Sequence, residues 1–476
     1  MKKLIFIIPL TLLFLHFMYN IDGMGVWSTD FAQFGRVMAI NVNPVTPSTV
    51  YSGTLDSGII KTTNSGTTWF TTHSGMSYVN SQCLTICAAN PNVLYCGTDS
   101  LGSSKGVYKT TDGGATWTNV TNDGFTSDRS IQAIVVDPTN ANIVYAGIFN
   151  AQHDVNIGVW KSTNGGTNWT AANSGMSSLQ NILSLAIDPN NPGTLYAGTS
   201  FVFATQTGPT IIYKTTNGGG TWVNSSSGLP ATSADINPVR ALDVCKANSQ
   251  YVAAGLFQNV TTGGFFLSTN GGTSWTKMHT GLPATAAANI RAVMFRPGTT
   301  SEIYCGIDNA TGPSAVYRTT NTAASWSDFN GGTMQSSYLV RAFSFRATGS
   351  DSTLYGGVGT TAASFTAGQG CYEYSWQLVG IKPQNGTVPT SFNLYQNFPN
   401  PFNPTTVIQY DIPKASFVTL TVYDMSGKVI GTLVNEQKQA GTYQISYNAS
   451  SLSSGVYFYK ITAGSFVSTK KMILVK

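Results

Sequence analysis

Six stretches of this chain repeat one eight-residue phrase: TTNSGTTW (62–69), TTDGGATW (110–117), STNGGTNW (162–169), TTNGGGTW (215–222), STNGGTSW (268–275) and TTNTAASW (319–326). The tryptophans that end them lie 48, 52, 53, 53 and 51 residues apart, and Trp376 follows 50 residues after Trp326. Upstream of each comes an aromatic, a small residue and a glycine: Tyr51-Ser52-Gly53, Tyr95-Cys96-Gly97, Tyr145-Ala146-Gly147, Tyr196-Ala197-Gly198, Tyr304-Cys305-Gly306 and Tyr355-Gly356-Gly357. Tyr251 and Gly255 form a looser copy, and further upstream lies an apolar run such as Ile134-Val135-Val136 before Pro138. Each unit offers four short strands, cannot bury its apolar face alone, and so must stack on its neighbours. That arithmetic predicts an all-β fold, a seven-bladed β-propeller over residues 25–381. The seventh copy lacks the turn phrase, so Gly25-Val26-Trp27-Ser28 is expected to complete its sheet and close the ring.

Composition agrees with a turn-rich β chain. Only 9% of residues are charged, against about 25% in ordinary domains, while Gly 49 and Pro 19 supply punctuation and 42% hydrophobic residues supply a core. The net charge of +5 vanishes over Val26 to Lys382, which holds 16 Lys/Arg and 16 Asp/Glu. A neutral body of this kind lacks the basic stripe that nucleic-acid binding requires.

In the turn phrase a Ser/Thr hydroxyl and the Asx side chain two residues on can bond to the backbone of a tight hairpin, glycines supply positive φ, and the Trp anchors the hairpin. The phrase resembles the Asp-box, or BNR, repeats of sialidases, sortilin-type receptors and xyloglucan-cleaving endoglucanases, and the likeness covers about 350 residues. It departs at Asn168, where Ser/Thr is usual, and at Ala323, where Gly is usual. Asn stands for Asp in five of six boxes, so Asn64, Asp112, Asn164, Asn217, Asn270 and Asn321, with Trp69, Trp117, Trp169, Trp222, Trp275 and Trp326, are read as structural rather than catalytic or metal-binding.

Met1-Lys2-Lys3 ahead of the apolar run Leu4 to Phe17 reads as a secretory signal over 1–24, too short to span a bilayer comfortably, and no later stretch reads as a transmembrane helix. Of the six cysteines, Cys96 and Cys305 occupy slots that hold Ser52, Ala146, Ala197 and Gly356 elsewhere, and Cys371 stands where Val107 stands. Small buried hydrophobes are the main reading of all six, and a Cys87–Cys96 bridge is the competing one. His16, His73, His153 and His279 are scattered, so no metal site and no cofactor are expected.

Residues 382–391 (KPQNGTVPTS) read as a linker, and beyond them alternating runs from Thr406 to Val475 predict a small Ig-like β-sandwich over 392–476. The run Tyr395-Gln396-Asn397-Phe398-Pro399-Asn400-Pro401-Phe402-Asn403-Pro404, then Tyr423-Asp424-Met425-Ser426-Gly427-Lys428, Gly455-Val456-Tyr457 and the ending Lys470-Lys471-Met472-Ile473-Leu474-Val475-Lys476 resemble the type A C-terminal sorting domain of the type IX secretion system. That resemblance implies recognition by an outer-membrane translocon, removal by a sortase-like peptidase, and release or display at the surface of a Gram-negative bacterium.

Candidate chemistry is sparse. Arg240, Arg291 and Arg341 open the first strands of three consecutive units (VRALDV, IRAVMF, VRAFSF), with Gln132 at the same place in another. Sialidases of this repeat type hold a substrate carboxylate with three arginines, so these four are candidate ligand contacts, although the Glu and the Phe-Arg-Ile-Pro run of that family are missing. Asp56, Asp99 and Asp308 follow the Tyr-x-Gly strands, where the xyloglucan-cleaving enzymes carry an acid, and are the weak catalytic candidates. The preferred reading is a surface-displayed or released propeller that binds an extracellular glycan or protein without catalysis. The alternative is a glycoside hydrolase, xyloglucanase-like or sialidase-like.

Overall fold

The computed structural model describes residues 27–31, 35–77, 79–99, 106–121, 130–150, 157–176, 180–200, 211–231, 238–257, 262–283, 289–308, 315–330, 339–348, 351–359, 370–377, 389–403, 405–438, 440–449 and 452–475. The signal reading of 1–24 and most of the linker lie outside them, as do the side chains of Asp308 and Trp376. Among the described residues every regular element is a strand, and no helix is long and apolar enough to cross a membrane. The chain divides into two compact units, one of them Val26–Ser375 and the other holding Trp376–Lys476.

The first unit contains seven antiparallel four-stranded sheets among the described residues. Their first strands are Val37–Val42, Ser81–Ile86, Ser130–Asp137, Asn181–Ile187, Val239–Val244, Asn289–Phe295 and Leu339–Thr348. Each of these touches the first strand of the next sheet, and the seventh returns to the first, so the sheets close a ring. Within a sheet the chain steps outward, as in Val37–Val42, Val50–Thr54, Gly58–Thr62 and the two-residue strand Phe70–Thr71. Second strands such as Leu94–Thr98 are buried at every position, because both faces pack on neighbouring sheets.

The seventh sheet is completed from the other end of the chain. Its outermost strand is Trp27–Phe31, paired antiparallel with Gly370–Gln377 in the register Trp27 to Tyr374. The expected closure is therefore present, but Trp376 is not a seventh member of the tryptophan series. It lies within the third strand of its sheet, whereas Trp326 comes after the third strand, Ala315–Thr319.

The glycine of each Tyr-x-Gly strand has a steric reason. A Cβ on Gly53, Gly97, Gly147, Gly198, Gly255, Gly306 or Gly357 would come closer than 3.0 Å to Ser81, Ile131, Ile182, Val239, Ile290, Val340 or Val37, each on the first strand of the following sheet. In the fifth sheet Gly255 keeps this place, but register puts Ala253, not Tyr251, opposite Asp243 where other sheets carry the tyrosine.

The second unit has a three-stranded sheet (Asn393–Leu394, Thr405–Ile412, Gly441–Asn448) and a four-stranded one (Val429–Lys438, Ser416–Tyr423, Gly455–Ala463, Phe466–Leu474). Ile408, Tyr410, Ile412 and Tyr443 from the first share one apolar core with Val418, Leu420, Val422, Tyr459, Ile461, Met472 and Leu474 from the second. All six cysteines are buried and free, so the bridge between Cys87 and Cys96 does not form; Cys96 Sγ instead donates to Ser81 Oγ and Cys87 Sγ to the Asp137 carbonyl. Burial pushes the Cys96 thiol up to about 12, consistent with inert packing groups.

Candidate functional site

The six turn phrases are closed by their own hydrogen bonds. In the second, Thr110 Oγ1 donates to Asp112 Oδ1 at 2.7 Å while accepting the Gly114 N–H, and Asp112 accepts the Thr116 N–H at 2.9 Å and its hydroxyl at 2.6 Å. Those Thr116 and Thr110 bonds hold the exposed carboxyl down at about 2. Asn64, Asn164, Asn217, Asn270 and Asn321 accept the same backbone N–H four residues on, which is why an amide serves as well as an acid. Asn168 is tolerated because the group required at its position is the main-chain N–H.

Each turn is fastened to the preceding sheet. The indole N–H of Trp117, Trp169, Trp222, Trp275 and Trp326 donates to the carbonyl of Thr72, Val120, Ala172, Ser225 and Met278, each three residues beyond the previous tryptophan. Trp27 donates to Phe329 O at 2.7 Å, again three residues beyond Trp326. Trp27 is thus the missing seventh tryptophan, supplied by the N-terminal strand.

A second lattice was not anticipated from the sequence. Lys61, Lys161 and Lys214 each lie over the ring of Tyr51, Tyr145 and Tyr196, and both members of each pair donate to one carbonyl of the next turn, Gly113, Gly218 and Gly271. Lys109 reaches Gly165 O over Tyr95 in the same way, while the Tyr95 hydroxyl turns to Ala141 O. The signal was present as a lysine immediately before the Thr or Ser that opens the phrase, in IKT, YKT and WKS. In the fifth sheet both donors are gone: Ala253 and Leu267 pack with Ala323 in one apolar cluster. The turn they face has Thr322 and Ala323 at φ 59 and 61; the first turn likewise has Ser65 at φ 59 in the Thr322 place, but every other turn has glycine in the Ala323 place. The Ala323 departure is therefore one part of a joint rebuilt in apolar residues.

The seventh sheet has no turn phrase, and in the sixth sheet the tyrosine and basic donors are satisfied within their own sheet instead. Glu302, buried, receives Arg296 at 2.9 Å and Arg318 at 2.7 Å together with the Tyr304 hydroxyl. Burial raises the carboxyl, yet the Tyr304 and Arg296 hydrogen bonds and the two guanidinium charges hold it below its ordinary value.

The candidate arginines occupy a distinctive position. Every first strand slips register at one residue: between Val37/Ala39, Ser81/Cys83, Ile131/Ala133, Ile182/Ser184, Val239/Ala241, Ile290/Ala292 and Val340/Ala342. The residues skipped are Met38, Gln82, Gln132, Leu183, Arg240, Arg291 and Arg341. A bulge leaves its extra residue unpaired and re-aims the side chain, so these seven form one circle at one level of the ring. Across the joint of the seventh and first sheets, Arg341 Nη1 is 3.7 Å from Met38 Sδ. The Arg240 guanidinium lies 5.7 Å from the Phe257 ring centroid, and the Gln132 amide donates to Ser130 Oγ. The Gln82 amide oxygen is buried with no hydrogen-bond partner among the described residues. The circle is basic over three consecutive sheets and uncharged over the other four.

The candidate acids are dispersed. Asp56 pairs with Arg36 at 3.0 Å and accepts the Arg36 backbone N–H, so it ties the first sheet's hairpin to its first strand. Burial opposes ionisation there, but the Arg36 bonds and charge lower the carboxyl below its usual range. Asp99 is half-buried and its N–H donates to Asn80 O. Asp308 ends the second strand of the sixth sheet opposite Asn289. An acid not singled out beforehand, Asp243, accepts the Phe295 N–H from the adjacent first strand at 2.8 Å, and burial between the two strands pushes its pKa up to about 7. Asn41 and Ser344, at the matching places, bridge to Leu84 O and the Val42 N–H, so Asp243 belongs to a set of inter-sheet staples. Among the described residues no cluster of His, Cys, Asp and Glu could hold a metal ion.

A closed ring of four-stranded sheets with stapled joints, followed by a compact β unit, defines a β-propeller with an appended domain. Residues 396–476 match the secretion system C-terminal sorting domain family. The chain is therefore a type IX secretion cargo, exported to the bacterial cell surface or secreted. No curated protein sequence matches it. Among solved structures it resembles PorZ, an essential surface component of the type IX secretion system of Porphyromonas gingivalis, with TM-score 0.54 and 13% identity over 94% of this chain and 60% of PorZ. It also resembles the GH74 xyloglucanase of Xanthomonas campestris, with TM-score 0.52 and 12% identity over 81% of this chain and 59% of the enzyme. The chain thus spans about three fifths of each, and the likeness is one of fold.

Proposed function

We propose that this chain is an exported seven-bladed Asp-box propeller (25–381) that binds an extracellular glycan or protein without catalysis, and that its ligand sits on the circle of bulged residues. A signal peptide at 1–24 would start export, and the Ig-like sandwich at 392–476 would engage the translocon and a sortase-like peptidase after the linker 382–391. The observation that carries the binding reading is position: Arg240, Arg291 and Arg341 recur at the bulge of three consecutive first strands, in one circle with Gln82 and Gln132, and a bulge re-aims the side chain it skips.

The test is binding of the full chain to neutral and to carboxylated or sulfated polysaccharides by affinity electrophoresis, repeated with Arg240→Ala, Arg291→Ala and Arg341→Ala. Loss of a charge-assisted contact should weaken retention by about tenfold or more per arginine. Retention of an anionic ligand that none of the three changes would end the proposal. A cleavage screen on the same polysaccharides, with Asp56→Asn, Asp99→Asn and Asp308→Asn, addresses hydrolysis: turnover abolished by one of them would replace binding with a xyloglucanase-like or sialidase-like activity.

A further inference from the structure

The sorting domain has one loop that is held tightly and yet presents a large aromatic to water. Asn397 is buried, its N–H donates to the Tyr459 hydroxyl at 2.7 Å, and its amide donates to Thr406 Oγ1 at 2.8 Å and Pro399 O at 3.1 Å. Asn400 Oδ1 accepts the Ile473 N–H at 2.9 Å, and Gln396 donates to Lys471 O at 2.6 Å. Phe402 is buried and bonds in both directions to the last strand, from its own N–H to Ile473 O and from the Val475 N–H to its carbonyl. Between these fastenings Phe398 is 80% exposed.

An aromatic fixed by its backbone and free at its ring loses little entropy on burial, which is how interface hot spots are built. The surroundings specify the kind of surface that would cover it. Residues 392–476 carry seven lysines against three acids. Of those acids, Asp411 is buried under the hydroxyls of Tyr395 and Thr442, and Asp424 caps its own turn. Lys471, whose carbonyl anchors the loop, is exposed beside it, as is Val475.

We infer that Phe398 is the anchor by which the sorting domain is read, inserted into an apolar pocket with an acidic rim on a protein of the outer-membrane export machinery. A lipid surface is the weaker fit, since electrostatic membrane attachment takes clusters of about 4–8 basic residues and the loop is flanked by the isolated pair Lys470 and Lys471. This inference rests on 396–476 being the sorting signal, and the experiment separates the two.

The full chain is expressed in a type IX-secreting bacterium as Phe398→Ala, Phe398→Asp and Lys471→Glu, with Met425→Asp, 75% exposed at the Asp424 turn, as a control and deletion of 389–476 as the reference for loss of the signal. Because Phe398 has little to lose in packing, its variants should melt within about a degree of the parent. Surface delivery should fall by about tenfold or more in Phe398→Asp, severalfold in Lys471→Glu, and not in Met425→Asp. A photo-crosslinking residue at 398 should form an adduct with an outer-membrane protein in living cells. Undiminished delivery of Phe398→Asp while the deletion is retained in the periplasm overturns the anchor but not the signal, as does a crosslink to lipid alone; delivery of the deletion itself overturns the signal.

Discussion

Trp27→Ala is the most discriminating perturbation of the ring. The indole is 1% exposed, packs edge-on against Phe329 at 6.2 Å and Tyr374 at 5.6 Å between centroids, and donates its N–H to Phe329 O. A buried aromatic removes about 150–250 Å² from water, worth roughly 4–6 kcal/mol at about 25 cal/mol per Å². Orphaning the Phe329 carbonyl adds about 1 kcal/mol, while partial collapse of the cavity recovers some, so the expected cost is about 4 kcal/mol. Trp222→Ala, an interior member of the same series with equal burial and the same bond to Ala172 O, should cost about the same 3–5 kcal/mol. For a ring of this size each kcal/mol lowers the melting temperature by about 1.4 °C, so both variants should melt about 4–7 °C early. Calorimetry of the full chain, with Trp27→Phe as a variant that keeps a ring but loses the N–H, provides the measurement. The equivalence fails if Trp27→Ala loses less than half of what Trp222→Ala loses, because the N-terminal strand would then be decoration rather than part of the last joint.

Other consequences follow from single residues. Asp243 has a folded pKa raised from 3.8 to about 7, so the native state binds the extra proton and stability falls as pH rises between those values, by roughly 4 kcal/mol across the window; Asp243→Asn should flatten the dependence of denaturant midpoint on pH, and an unchanged slope would disprove the assignment. Glu302 has the opposite sign, its pKa being lowered by its partners, so its contribution is present above its unfolded value near 4.5 and lost on acidification; Glu302→Gln should cost about 2 kcal/mol at neutral pH, discounted because Arg296 and Arg318 are roughly a third exposed. Ala323→Gly relieves a left-handed residue and should raise stability by about 1 kcal/mol; a loss would mean that the methyl's packing with Ala253 and Leu267 outweighs the backbone strain. Lys161→Met, which keeps the stem over Tyr145 but removes the donor to Gly218 O, should cost about 1–2 kcal/mol by chemical denaturation.

The phrase and its spacing were enough to read four strands per unit, because turn chemistry is local: an Asx two after a hydroxyl, then positive φ, leaves the backbone few alternatives. The strands of the second unit, from Thr405–Ile412 to Phe466–Leu474, were legible for the same reason, being bounded by turn residues, whereas its reading as a sorting domain came from the resemblance of its motifs. What was not legible is whatever joins one unit to the next. The Lys61 and Tyr51 donors meet Gly113 across 52 and 62 positions, and nothing in a single strand announces that meeting. Trp27 stands outside any phrase, so its role emerges only when Phe329 is seen to be three residues past Trp326. Arg240, Arg291 and Arg341 were visible as a repeat, but their bulges, and hence the circle they share with Met38, Gln82 and Leu183, depend on pairing register.

The seven glycines facing the next sheet bear on how such a ring counts its own members. Each joint brings a backbone within contact of the residue that precedes a bulge, and no side chain fits between. The gap at that point sets the wedge angle between sheets, and seven wedges must sum to a full turn. One Gly147→Val substitution would therefore act on the circumference as much as on its own strand: the excess width cannot dissipate sideways in a closed circle, and it would be felt where the circle was last fastened, at Trp27.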